Sequence, residues 1–364
     1  MKQILSSIIS NAKDFPALPS ATLRVLQLTN DENTTYKHLA KIISTDVSLA
    51  TGILKTANSP YYGTTNEITN IEQALSILGF KRIKNITMSL SVINMFPKEH
   101  LKYYSELFNV SLASSVAAEM ISKCFSFEKK PEIFLTSLLS KIGMFVLLRY
   151  LTDQYMNVIK QAQKRGLELE IVEEAIIGST HIEVGEMVGQ KWNLPENIMQ
   201  TIRFHRNIID AENNTTLAPD NLSVIKTIYL SWIAADIFTG WNRAYKIHLF
   251  KREFARLTGR EEKTAIKLLT ELPDAFSKFS EIYNLRSGYL PSFDKVRVQA
   301  VDETIENQHK YEQTYSELNY VHSILHKKTQ SLQQVNSELH MSKSVMENLL
   351  NKLHEKHQTD AENH

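Results

Sequence analysis

From residue 301 to the C-terminus the chain has neither glycine nor proline, and one position in every seven is apolar: Tyr311, Leu318, Leu325, Leu332, Leu339, Met346 and Leu353. A segment with that period buries its stripe only as an α-helix, and a helix of that length needs another helix to cover it. The position three residues further on is mixed, with Val321, Val335 and Leu349 but also Lys328 and Ser342. At 1.5 Å per residue the repeat spans about 60 Å. Two arrangements satisfy it, a long helix laid on its own domain or a coiled coil with a second copy. No stripe of similar length occurs elsewhere in the chain, so a dimeric coiled coil is the expectation.

Helical spacing also dominates the residues before it. Phe15-Pro16-Ala17-Leu18-Pro19 is a stiff start whose prolines disfavour helix before Ser20. Leu39, Ile42 and Ile43 follow at helical intervals, and Asp46 is placed to cap a helix carrying Leu49, Ile53 and Leu54. Asn58-Ser59-Pro60 ends that helix, because Pro60 cannot continue it. Asn70 opens the next, with Gly79 as its stop, and two more are expected over 81–96 and 104–124. Ile133 to Leu151 reads as one buried core helix, since Lys141 and Arg149 interrupt it as a membrane span. Thr180-His181-Ile182-Glu183 has the capping-box pattern, and Pro195 suits the first turn of a further helix. Asn207 to Asn221 is polar and contains Pro219, so it reads as a loop, with helices resuming over 223–238 and 261–283. No strand-like alternation with hairpin turns stands out. The fold class is all-α.

Composition narrows the function. A chain with 43% hydrophobic and 22% charged residues can build a core, which excludes global disorder. Basic and acidic residues nearly cancel, 41 against 40, so no general nucleic-acid footprint is present. Lys81, Arg82 and Lys84 form the best local basic patch, expected as a solvated helix face rather than a phosphate site. The single cysteine, Cys124, allows no internal disulfide and sits among apolar neighbours. Together with a first ten residues unlike a signal peptide, it points to a cytoplasmic protein.

Hydrolytic metal centres need several imidazoles and carboxylates converging on one point. The chain has no His-Glu-x-x-His, no adjacent His-Asp, no phosphate-binding glycine loop and no Gly-x-Ser-x-Gly. His181, His205 and Asp236 are candidate ligands whose spacing alone does not link them. Taken singly, each reads as an ordinary core or surface group.

Five segments, in this order, resemble the HDOD family, a branch of the HD superfamily. They are Phe15 to Pro19; Ile43-Ser44-Thr45-Asp46 with Leu49, where Val47 stands for the usual proline; Leu54 to Gly63, containing Ala57-Asn58-Ser59; Ile71 to Gly79; and His181 to Gly185 with Trp192-Asn193-Leu194-Pro195. The resemblance covers roughly residues 14 to 290. It implies an HDOD domain over 14–210, a helical extension packed on it over 211–298, and a coiled coil over 299–357.

The resemblance also implies where catalytic HD proteins hold metal. Val110 falls at the early histidine, Ser140 and Lys141 at the His-Asp pair, and Arg206 at the second of two later histidines. His181, His205 and Asp236 fall at retained positions. Together Val110, Ser140, Lys141, His181, His205 and Asp236 outline a vestigial pocket. Lys141 cannot donate a lone pair as an ammonium and repels a cation. A pairing of Lys141 with Asp236, in place of the metal, is one expectation, and a solvent-facing Lys141 the other. The implied protein is a non-enzymatic bacterial signalling module with no cofactor. It would act as a homodimer with a signalling partner or an output domain such as a diguanylate cyclase or kinase. A residual nucleotide- or phosphate-binding protein or phosphohydrolase is the alternative. Nucleic acid and a membrane span are not expected. Asn58 and Ser59 either contact a partner or close a helix.

Overall fold

A computed structural model describes residues 20–29, 31, 33–58, 67–94, 101–127, 132–282, 289–306, 308 and scattered positions from 325 to 346. Phe15 to Pro19, Ser59 and the seam positions Tyr311, Leu318 and Leu353 lie outside the described residues. Among the described residues every regular element is helical. The chain divides into two compact units, Met1–Val301 and Asp302–His364.

The first unit opens with α1 (Ser20–Leu28), α2 (Tyr36–Ile43), α3 (Val47–Ala57) and α4 (Ile71–Asn94). Local chemistry sets their ends. The Asp46 carboxylate accepts from Leu49 N–H at 3.0 Å, satisfying a free donor at the start of α3. Asn70 accepts from Glu72 N–H at 2.7 Å and opens α4. Gly79, at φ 74° and ψ 158°, bends α4 where the sequence has its stop. Asn58 ends α3 and clamps the returning chain: its amide nitrogen donates to Leu54 O (3.0 Å) and Ile68 O (2.7 Å), and its oxygen accepts from Ile68 N–H at 2.7 Å. Both ends of the side chain are therefore spent on backbone.

The central layer is α5 (Leu101–Ser122), α6 (Ile133–Ser140) and α7 (Ile142–Tyr150), followed by α8 (Thr152–Arg165), α9 (Leu169–Ile177), α10 (His181–Lys191) and α11 (Glu196–Phe204). Then come α12 (Ile208–Asn213), α13 (Pro219–Thr239), α14 (Arg243–Thr258) and α15 (Glu262–Ile282). The stretch expected as one core helix is two. The backbone leaves helical geometry at Lys141 (φ −101°, ψ 8°), which ends α6 and begins α7. The polar stretch after Asn207 is likewise structured. Asn207 caps α12, and Pro219 stands in the first turn of α13, where its missing N–H costs nothing. Lys84 is buried, with Glu132 at 3.5 Å, so the expected solvated face does not hold for it. Two helical stretches, Ile133–Tyr150 and Pro219–Thr239, are long and apolar enough to cross a membrane, but 83% and 67% of their respective windows are buried inside the bundle.

α13 runs through the middle, packed on α5, α6, α11 and α14. Leu290, and Phe293 and Val296 of a later helical segment, join the same core. Most of the buried hydrophobic residues described between Ala211 and Val296 thus share one core with the preceding helices. In the second unit Leu325, Leu332, Leu339 and Met346 are helical and 57–69% exposed.

The contact that matters most for the site is α7 against α10. A Cβ on Gly143 would stand 1.8 Å from the His181 carbonyl oxygen and 2.7 Å from Gly185 N. Nothing larger than hydrogen fits, and the two backbones touch there. Gly143→Ala is expected to destabilise the protein by about 1–3 kcal/mol in urea denaturation, since backbone rather than a movable side chain blocks the methyl. Gly185→Ala, whose methyl meets Ile202 Cγ2 at 2.9 Å, is expected to cost less.

Candidate functional site

Near the break at Lys141 and the touching glycines, residues of α5, α7, α8, α9, α10, α13 and α14 line a shared cavity of about 190 Å³. Val110 of α5, Lys141, His181, His205 and Asp236 all line it. Ser140 does not; it is buried and donates to Ser137 O at 2.7 Å within α6.

Lys141 is 1% exposed. Its Nζ donates to Ser114 Oγ at 2.9 Å, and Ser114 Oγ lies 3.2 Å from both Ser137 Oγ and Ser231 Oγ. A cluster of hydroxyls from α5, α6 and α13 thus meets the ammonium through Ser114, and among the described residues no carboxylate is in contact with it. Burial pulls Lys141 down to about 7; the nearby Arg206 charge adds to this and Asp236 opposes it. The expected Lys141–Asp236 pair is not made. Asp236 binds Lys246, which comes from α14 and also lies 4.8 Å from the Trp241 ring centre. The physical reason is supply: α14 brings its own buried ammonium to Asp236, and Ser114 satisfies Lys141.

The two histidines are held by their Nδ1 atoms. His181 begins α10 behind the Thr180 capping box. Its backbone N–H donates to Glu173 Oε2 at 2.9 Å, and its Nδ1 lies 2.9 Å from the same oxygen. Tyr155 also donates to Glu173, at 2.8 Å. His205 Nδ1 is 2.8 Å from Ile202 O, an acceptor, so the proton sits on Nδ1 and leaves Nε2 with a lone pair. Burial keeps His205 neutral, well below the ordinary histidine value, and the His181 and Lys141 charges push the same way. His205 Nε2 has no hydrogen-bond partner.

Arg206 closes the constellation. It binds Glu170 through Nε and through Nη2 at 2.9 Å, binds Glu168 at 2.7 Å, and stacks on the Trp232 ring. Burial opposes its charge, but Glu170 and Glu168 outweigh burial and hold it above its ordinary value. Glu170, in turn, is desolvated, yet Arg206 holds its carboxyl far below the usual range. Arg206 Nη1 is buried and unpartnered.

This donor set does not fit a metal ion. His181 and His205 keep the posture of ligands, each ring fixed through Nδ1. The carboxylates that would complete a centre are occupied, Glu170 by Arg206 and Asp236 by Lys246, and Lys141 adds a third cation. Among the described residues no group of three or more His, Cys, Asp or Glu side chains is placed to hold a metal. Glu173, Ser114, Trp232 and Lys246 were not singled out from sequence. Only Glu173 had a local signal, lying eight residues before His181 across a turn closed by Gly178.

An all-helical bundle enclosing a cavity lined by histidines and buried cations defines the class. The chain belongs to the HDOD family: residues 15–208 match the HDOD domain. An uncharacterized protein of Treponema pallidum is 23% identical over 214 residues, covering 57% of this chain and 40% of that protein. The chain thus spans less than half the length of the curated relatives it matches. Among solved structures, an HDOD domain protein of unknown function from Geobacter sulfurreducens superimposes with a TM-score of 0.59 at 18% identity, covering 79% of this chain and 98% of that one. A Shewanella amazonensis protein, named as a proposed phosphohydrolase, gives 0.58 at 18% identity, covering 77% and 97%. These likenesses show the fold. Trp232, Asp236, Trp241 and Lys246 lie beyond the family match, so the extension supplies part of the cavity wall.

Lys141→Met removes a buried ammonium and leaves no carboxylate unpaired, so the variant is expected to be at least as stable as the parent at pH 7. The unfolded chain binds a proton at Lys141 that the folded protein releases above about 7. Parental stability should therefore rise with pH from there to the ordinary lysine value, and the gap to Lys141→Met should close. Thermal melts of both proteins across that window check it; a gap independent of pH would contradict the buried, unpaired ammonium.

Proposed function

We propose that this protein is a non-catalytic signalling module whose helical domain binds a ligand or partner and relays that binding through a dimeric coiled coil. The observation that carries the reading is a cluster of cations: Lys141, Arg206 and Lys246 share one cavity, and two of them hold the carboxylates a metal would need. Membership of the HDOD family supports the signalling role, and the expected partners are a second copy and an output protein such as a diguanylate cyclase or kinase. The exposed stripe Leu325, Leu332, Leu339 and Met346 supports the coil, because it presents apolar surface that a second helix would cover. A ligand shifts such a module only by binding one packing of the helices better than another.

Two measurements test this reading. Purified protein supplied with manganese is expected to retain no stoichiometric metal and to turn over no phosphodiester; metal retention with turnover would establish the phosphohydrolase alternative instead. The full chain is expected to run as a dimer in light scattering, and a chain ending at Val301 as a monomer. A dimeric truncation would place assembly outside the coil.

A further inference from the structure

Among the described residues Lys141 is the one lysine or arginine of the cavity wall without a carboxylate partner. Arg206 is shared between Glu168 and Glu170, and Lys246 is on Asp236, so those three acids are already engaged. Lys141 has only the Ser114 hydroxyl, which leaves two of its three N–H groups undirected. Two further polar atoms of the same wall have no partner: Arg206 Nη1, on a side chain 9% exposed, and His205 Nε2, on a residue 1% exposed. Native proteins rarely leave buried polar atoms unmatched, and a recurrent explanation is a missing bound group. What is missing here has a definite chemistry. Two cationic donors call for an oxyanion, and a neutral imidazole nitrogen calls for a hydrogen-bond donor beside it.

Much of the rest of the wall is apolar, with Glu106 and Thr239 among its remaining polar residues. Val110, Met144, Leu148 and Met156 face the same space as Trp232 and Trp241. Thioethers and ring edges adapt to a flat apolar body better than branched aliphatics do. A bare inorganic anion would leave those surfaces uncovered. The cavity is small, about 190 Å³, which suits a compact molecule rather than a peptide or a dinucleotide.

From these observations we infer that the cavity is a binding site for a small organic oxyanion, a carboxylate or phosphoryl group on an apolar body, whose charge is met by Lys141 and Arg206. This rests on the non-catalytic reading of the same site and gives its ligand a chemical class. Lys141 supplies positive charge to the oxyanion from the protein itself. The ammonium is thus a specificity determinant, and its burial prepares it for a ligand that brings the counter-charge.

Titration calorimetry on the full chain tests the inference with three probes of similar shape: benzoate, phenylphosphonate and uncharged benzyl alcohol. At least one anion is expected to bind with one site per chain, and benzyl alcohol roughly tenfold or more weaker, the scale of a charge-assisted hydrogen bond. Which anion binds more tightly distinguishes a carboxylate from a phosphoryl head. Lys141→Met is expected to weaken the better anion roughly tenfold while leaving the helical circular dichroism unchanged. If that variant does not fold, Lys141→Gln, which keeps a polar end toward Ser114, takes its place. Three results would each overturn the proposal: no binding by either anion, equal binding of benzyl alcohol, or full affinity in the folded Lys141 variant. Neither anion is a hydrolysable ester, so failure to bind leaves the non-catalytic reading standing. Turnover with manganese would remove that reading whatever the calorimetry shows.

Discussion

Where α7 crosses α10 no side chain separates the two backbones. Gly143 meets the His181 carbonyl and Gly185 directly, and the cavity owes its position to that contact. With α7 drawn in, the chain must bend at Lys141 to join α6, and the bend sends the lysine side chain inward to Ser114. With α10 drawn in, His181 reaches Glu173 across the Gly178 turn, and Tyr155 donates to that same carboxylate. One close approach therefore sets the addresses of both a cation and an imidazole. Such contacts are unforgiving because dense interiors cannot absorb an added methyl group.

The electrostatics follow from who reaches whom. Burying a charge is costly unless a counter-charge or several hydrogen bonds accompany it. Arg206 and Lys246 meet that condition through Glu170, Glu168 and Asp236, and Trp232 and Trp241 add ring faces to the two cations. Lys141 meets it only in part, which is why its ammonium is pulled to about 7 while Arg206 is held high. The contrast is between cations that stabilise a fold and one that the fold merely tolerates. A group of the second kind is where binding can add most, because a ligand's charge offsets a cost already built into the protein.

Helix starts were legible in the sequence because they depend on one or two neighbouring residues. Asp46, Asn70 and Thr180 each cap the helix that their side chains announce, and Gly79 bends where it should. The break at Lys141 was not legible, since the run from Ile133 to Leu151 has uniform apolar character and the bend is imposed by α10, some forty residues on. The helix of Asn207 and the start at Pro219 had local signals, but a polar composition masked them. For the site, the family resemblance outlined a pocket of Val110, Ser140, Lys141, His181, His205 and Asp236; five of these line one cavity and Ser140 does not. The partners were another matter. Asp236 finds Lys246 in the following helix, and Lys141 finds a serine 27 residues earlier; neither pairing has a sequence period that could reveal it.

The cavity wall is drawn from both sides of the family boundary, and this bears on how occupancy could be felt elsewhere. Lys141, His181, His205 and Arg206 come from the matched domain, whereas Trp232, Asp236 and Lys246 come from α13 and α14 of the extension. A ligand held between them would favour whichever packing of α13 against α5 and α11 closes best on it, and α13 is the helix that these neighbours share. The extension continues through Phe293 and Val296, which sit in the same core, to the boundary at Val301 where the heptad-bearing unit begins. A differential affinity of about 1.4 kcal/mol between two packings would change their ratio tenfold.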